Sequence, residues 1–205
     1  MSRLLYIESS PRKKRSASIE VSQTFLNQYK KTHADDEVIT LDLWHKDIPT
    51  FDGDIIDSKY AIMHGQSHTE AQRKAWRTVE QTIAEFKNAD KYVFSIPMWN
   101  FSIPYKLKHY IDVIVQPSYT FTFSPTEGYK GLVVNKPAVL IYARGGAYGS
   151  GTGAESLDLQ KSYMETILKF IGFTDIRSIV IEPTLGGGEV MEKAKEQAME
   201  MAAHF

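Results

Sequence analysis

Five short apolar runs, each separated from the next by a stretch of helical periodicity, constrain this chain more than any other feature of its sequence. The runs cover residues 4–7, 37–43, 91–96, 138–142 and 176–181. Between them, Ile19, Phe25, Leu26 and Tyr29, then Trp76, Val79, Ile83 and Phe86, then Leu107, Ile111 and Ile114, then Tyr163, Met164, Ile167, Leu168 and Ile171 each mark one face of a helix. Strands that are apolar along their whole length are buried on both faces. Parallel neighbours need crossover connections, which are almost always right-handed, so the pattern specifies an α/β fold. The expectation is a doubly wound, five-stranded parallel sheet with helices on both faces, in one domain over residues 1–205.

Local signals refine this frame. Pro104 suits the start of the helix after the third run, and Gly172 suits the stop of the helix before the fifth. A last helix is expected from about Val190. Residues 119–123 and 132–134 read as an inserted β-hairpin, with 124–129 as its connection, while residues 48–53 open a long irregular connection whose continuation, 54–67, is expected as a loop. No internal repeat, low-complexity segment or inter-domain linker interrupts the chain.

Composition removes several classes of function. The absence of cysteine excludes disulfides, thiolate nucleophiles and iron–sulfur clusters, so redox chemistry here requires a bound organic cofactor or another metal. A formal net charge of -1 offers no general attraction for nucleic acid. The first residues turn polar too early for a signal peptide, and no apolar run approaches the roughly 20 residues of a membrane helix, so the expected location is cytoplasmic. His64 and His68 have i, i+4 spacing, yet no glutamate stands in the metalloprotease position and no third ligand is evident, so no metal is expected. Nor does a serine lie in a G-x-S-x-G elbow.

In a doubly wound sheet, ligands lie beyond the carboxyl ends of the strands where the strand order reverses. That places the loops after the first, third and fourth strands at the candidate site. The first loop, 9–18, carries Ser10, Ser16 and Ser18 ahead of a helix N-terminus, a combination that suits a phosphate. It lacks the G-x-G-x-x-G and P-loop patterns, so a monophosphate fits better than ATP or a conventional dinucleotide. Taken alone, it equally suits a solvated basic turn with Ser18 capping the helix. The second loop, Pro97-Met98-Trp99-Asn100-Phe101-Ser102-Ile103-Pro104, offers aromatic surface and an amide for a flat heteroaromatic ring, or a packed turn. The third, from Ala143 through Arg144, Gly145 and Gly146 to Gly151, allows close backbone approach to a carbonyl or a developing anion, or forms a flexible turn. The later glycines 186–188 read as the loop before the last helix, outside that site.

These three loops in this order, with Leu107-Lys108-His109-Tyr110-Ile111-Asp112 and Phe170-Ile171-Gly172-Phe173-Thr174-Asp175, resemble the FMN-dependent NADH azoreductases and NAD(P)H quinone reductases of the flavodoxin-like superfamily, over nearly the whole chain. The resemblance implies a flavodoxin-like fold and bound FMN. By position, Ser10, Ser16, Ala17 and Ser18 would hold the phosphate and ribityl oxygens. Met98, Trp99, Asn100 and Phe101 would line the flavin, and Ala143, Arg144, Gly145 and Gly146 would meet its polar edge. Ala143 stands where related azoreductases often carry serine, and the run Lys13-Lys14-Arg15 is more basic than this loop usually is. The implied activity is hydride transfer from NADH or NADPH through FMN to quinones and azo compounds, in alternating turns, with no catalytic side chain of the protein's own. A homodimer is implied, with Phe121 and Phe123 of the hairpin in the acceptor pocket. The competing readings are a flavodoxin-type electron carrier without enzymatic activity and an FMN-dependent nitroreductase or FMN reductase.

Overall fold

The computed structural model describes residues 1–63 and 69–205. The five apolar runs become β1 (Arg3–Glu8), β2 (Glu37–Asp42), β3 (Lys91–Pro97), β6 (Ala138–Ala143) and β7 (Ile176–Ile181), all parallel in the order β2-β1-β3-β6-β7. Side chains alternate between two cores. Leu5, Ile7, Tyr92, Phe94, Leu140 and Tyr142 face one, and Leu4, Tyr6, Val93, Val139, Ile141 and Ile179 face the other. Each such Val, Leu or Ile side chain contributes about 1.5–3 kcal/mol by leaving water.

Helices α1 (Ala17–Thr32) and α6 (Gly188–Ala203) cover the second face. The first face is covered by α3 (Glu70–Lys87), α4 (Tyr105–Ile114) and α5 (Leu159–Ile171). Thr69 opens α3 with a capping box: its hydroxyl accepts from Gln72 N, and the Gln72 side chain accepts from Thr69 N. Gly172 closes α5 at φ 118°, the left-handed conformation that a glycine adopts without penalty.

Three expectations need correction. The connection after residue 53 is helical at its start. Asp52 accepts from Ile55 N and Ile56 N, and α2 (Gly53–Met63) follows, burying Ile55 and Ser58. His64 and His68 lie outside the described residues. The hairpin pairs β4 (Phe121–Ser124) with β5 (Gly128–Gly131), not with residues 132–134. Val133 is apolar because it is buried, donating its N–H to Ile171 O at the end of α5. Pro104 precedes α4 in an extended conformation, and Tyr105 is its first helical residue.

The hairpin's position follows from chain direction. Helix α4 carries the chain back to the amino ends of the strands, and β6 starts there, so an insertion between them belongs to that edge. The hairpin accordingly packs against the last turn of α5, with the Phe121 and Phe170 rings 4.8 Å apart. Gly131 meets Gly172 so closely that a Cβ on Gly131 would stand 2.3 Å from Gly172 N. Substituting Gly131→Ala is expected to destabilise the protein by at least about 2 kcal/mol through overpacking that rigid backbone cannot relieve. Urea unfolding measures this, and a variant as stable as the parent would refute the contact.

Candidate functional site

The strand order reverses between β1 and β3, so the loops after β1, β3 and β6 converge at one edge of the sheet. In the first loop, Ser9 seals the β1–β3 seam, its N–H and hydroxyl both donating to Ser95 O at 3.3 and 2.6 Å. Ser10, Ser16 and Ser18 are buried. Ser16 is the N-cap of α1, its carbonyl accepting from Glu20 N, but its hydroxyl caps nothing and lies 3.2 Å from that of Ser18. Ser18 is therefore inside the helix rather than its cap. The first N–H groups of α1, on Ala17, Ser18 and Ile19, have no partner within the helix. Hydroxyls and open N–H groups gathered at a helix N-terminus form a site of the chemistry a phosphate monoester needs.

The basic run does not act as one positive patch. Lys13 adopts φ 50° and turns its ammonium onto Glu8 Oε1 at 2.5 Å and onto Asp42. Partial burial lowers the Lys13 pKa, but its hydrogen bonds with Asp42 and Glu8 outweigh that and raise it above the ordinary lysine value. Burial likewise works against the Asp42 carboxylate, yet Lys13, His45 and the Trp44 N–H hold its pKa below the usual range. Arg12, Lys14 and Arg15 remain exposed on the rim.

The second loop is a tight reversal. Trp99 N donates to Ser102 O and Ser102 N to Trp99 O, each at 2.9 Å, with Asn100 and Phe101 between them at φ 48° and 68°. Two successive left-handed residues are the requirement of a type I′ turn, which ordinarily takes glycine at the second position. Phenylalanine there is strained. Met98 extends the sheet by donating to Ala143 O at 2.8 Å. The Trp99 ring packs 5.9 Å from Trp44, whose Nε1 donates to Ser9 O at 2.9 Å, and 6.2 Å from Tyr105. Phe101 lies edge-to-face with Tyr148 at 6.1 Å.

In the third loop, Ala143 is buried at the end of β6, and its methyl supplies no hydrogen bond. Gly145, Gly146 and Ala147 donate no hydrogen bond from their N–H groups among the described residues, whereas the flanking N–H groups of Arg144 and Tyr148 are held by Ile181 O and Glu182 Oε2. The Arg144 side chain does not reach the crevice. It is 1% exposed and sits beneath the loop against Gln160, Asp158 and Glu182. The loop after β7 neighbours this one: a Cβ on Gly145 would be 3.8 Å from Leu185, so the segment before the last helix borders the site.

A groove of about 890 Å³ continues from the second loop along α4, lined by Phe51, Lys59, Trp99, Asn100, Tyr105 and Tyr163. Burial holds the Lys59 pKa below its ordinary value. Phe121 and Phe123 are not part of this crevice in their own chain. Their neighbour Phe170 lies about 18 Å along α5 from Asp158, at 1.5 Å per residue. Sequence reading missed Trp44, Tyr148 and Glu182, which join loops from different strands. Of these, only Tyr148 lies within one of the three loops, the third, where it was given no role.

A doubly wound sheet of order 2-1-3-4-5, with buried serines at a helix N-terminus after its first strand, an aromatic turn after its third and, among the described residues, unbonded N–H groups after its fourth, has the architecture of the flavodoxin-type mononucleotide-binding proteins. The family model described as flavodoxin-like fold matches residues 2–205, and the chain belongs to that family. A protein of Desulfotalea psychrophila named FMN-dependent NADH:quinone oxidoreductase is 50% identical over 206 residues, covering 98% of this chain and 97% of its own. One of the same name from Nitratidesulfovibrio vulgaris is 47% identical over 210 residues, with full coverage of both chains. Among solved structures, an azoreductase from Bacillus anthracis superposes with a TM-score of 0.92 at 31% identity over 100% of both chains. An FMN-dependent NADH-azoreductase from the same species, in complex with FMN, gives 0.92 at 27% identity over 100% of this chain and 99% of the other.

The strain in the second loop has a measurable consequence. Phe101→Gly is expected to raise stability by about 1 kcal/mol, because glycine takes the left-handed conformation freely. The same change removes the ring beside Tyr148 and weakens ligand binding in the crevice. Thermal unfolding and ligand titration of one variant measure both effects; a lower melting temperature would show that the turn is not strained.

Proposed function

We propose that this chain is an FMN-dependent NADH:quinone oxidoreductase with azoreductase activity, acting in the cytoplasm as a homodimer. The convergence of three loops of distinct chemistry on one crevice carries the reading, and relatives matched over their full length support it.

The residues fit the cofactor. Ser10, Ser16 and Ser18, with the open N–H groups of Ala17 and Ser18, bind the phosphate. Trp99, Asn100 and Phe101, with Met98 behind them, present a fixed surface for a flat ring. The N–H groups of Gly145 and Gly146 donate to its polar edge, where negative charge develops on reduction. Bound FMN supplies the hydride chemistry, so the protein needs no nucleophile or acid–base pair of its own. Its task is to hold the ring, expose one face and admit the donor and the acceptor in turn. Either NADH or NADPH serves as donor on this reading.

The hairpin supports the homodimer. Phe123 is 59% and Tyr129 65% exposed, and they form an aromatic cluster with Phe121 and Phe170. This cluster stands at the edge opposite the crevice in its own chain. In a two-fold dimer seated along the α4 groove, the hairpin of one protomer covers the crevice of the other, and Phe121 and Phe123 then border the acceptor pocket.

The absorbance spectrum of the purified protein tests the activity. FMN bands that bleach under anaerobic NADH and return with benzoquinone or methyl red, with parallel initial-rate lines, are expected. A protein that binds no FMN, or FMN that NADH cannot reduce, would overturn the reading. For the dimer, sedimentation is expected to give twice the chain mass, and Phe123→Ser is expected to raise the KM for quinone while leaving FMN affinity unchanged. A fully active monomer would eliminate the shared pocket.

A further inference from the structure

The Arg144 side chain is 1% exposed, and taking its charge out of water is costly unless it is paired and hydrogen-bonded. Its Nε donates to Gln160 Oε1 at 3.0 Å and its Nη1 to Glu182 Oε2 at 3.1 Å. Nη2 lies 2.7 Å from Asp158 Oδ2, close enough for an ion pair though not aligned as a hydrogen bond. Each partner reaches a different part of the site. Gln160 Nε2 donates to Ile96 O, one residue before the second loop leaves β3. Asp158 caps α5 by accepting from Lys161 N. Glu182 Oε2, the same atom that Arg144 holds, accepts from Tyr148 N at 3.0 Å.

The third loop is thus fastened at both ends, at Arg144 N by Ile181 O and at Tyr148 N by Glu182, and the three N–H groups between them donate to nothing among the described residues. Gly149 belongs to the same arrangement. A Cβ on it would stand 2.8 Å from Glu182 Oε1, so only glycine leaves the carboxylate where it is.

We propose that Arg144 is a positioning residue. Through Glu182 it fixes the third loop so that the N–H groups of Gly145, Gly146 and Ala147 face the polar edge of the flavin, and through Gln160 it ties that loop to the second. The inference rests on the FMN reading above. A guanidinium is required because its planar fork engages several acceptors at fixed angles, which the point charge of a lysine does not.

The test uses Arg144→Lys and Gly149→Ala, the second of which displaces Glu182 while leaving the buried charges intact. In both variants the FMN dissociation constant is expected to rise about tenfold, the size of one hydrogen bond involving a charged group. The flavin midpoint potential is expected to fall, since the reduced form loses its oriented donors. With FMN saturating, KM for NADH is expected to stay unchanged while kcat drops. In the apo-protein, amide exchange at Tyr148, whose N–H Glu182 holds, is expected to accelerate. Should Arg144→Lys fail to fold, Gly149→Ala decides the matter alone. A folded Gly149→Ala variant with parental FMN affinity, potential and exchange rates overturns the proposal. A parent protein that binds no FMN would instead overturn the functional reading, leaving the brace to be judged by apo-protein exchange.

Discussion

Parallel pairing of β1 with β3 is the contact on which the rest of the site depends. The chain leaves β1 toward β2 on one side and returns to β3 on the other, so no connection crosses the carboxyl ends of this pair. The register is held by Leu4 opposite Lys91 through Glu8 opposite Ser95, and Ser9 continues it with two bonds to Ser95 O. Tyr6, whose hydroxyl lies 3.2 Å from Ser95 Oγ, anchors the same seam from within the core. A slip of one residue would turn Tyr6 and Leu4 out of their core and carry the serines away from the helix N-terminus. Core packing and the serine cluster at the helix N-terminus therefore share one register.

Two cations of the site loops are turned away from the crevice and held by carboxylates, while Lys59 stays in its lining. Lys13 is spent on Glu8 and Asp42, and Arg144 lies beneath the third loop between Asp158 and Glu182. Beside these cations the loops offer hydroxyls and backbone N–H groups. Dipoles fixed by the fold need no reorganisation when a ligand arrives and no counterion when it leaves. The buried cation contributes indirectly by keeping those dipoles aimed.

The sheet was legible because its central strands are buried on both faces and therefore apolar throughout. The three loops were legible because each immediately follows such a strand. Helix α2 escaped because its evidence is a single aspartate cap and a short buried face containing Ile55 and Ser58, in a stretch without a sustained apolar stripe. The second hairpin strand escaped because Gly-Tyr-Lys-Gly has little strand propensity, and its pairing comes from the register with β4 and the seat on Gly172. Val133 misled for the opposite reason, being apolar for the core and not for a strand. In the site, Ser10, Ser16, Ser18 and the glycine pair were read from local pattern. Trp44, Tyr148 and Glu182 act across loops far apart in sequence, Trp44 to Ser9 over 35 positions and Glu182 to Tyr148 over 34, and no periodicity reports such contacts. Arg144 was placed in the correct loop, but its burial could not be read from an adjacent glycine pair.

These contacts form a continuous path around the crevice. Trp44 joins the first loop to Trp99 in the second, Phe101 joins the second to Tyr148, and Tyr148 joins the third to Glu182 and through it to Arg144. Gln160 then returns the path to β3 at Ile96. A strained turn within such a circuit is held from both sides, so Asn100 and Phe101 keep left-handed conformations that an isolated loop would relax. The circuit builds the floor and edges of the crevice from one chain. Its cover is a separate matter, because chain direction puts the aromatic hairpin at the amino ends of the strands. The crevice and the exposed Phe123 and Tyr129 of the hairpin therefore lie at opposite edges of one chain, so the hairpin cannot cover the crevice beside it.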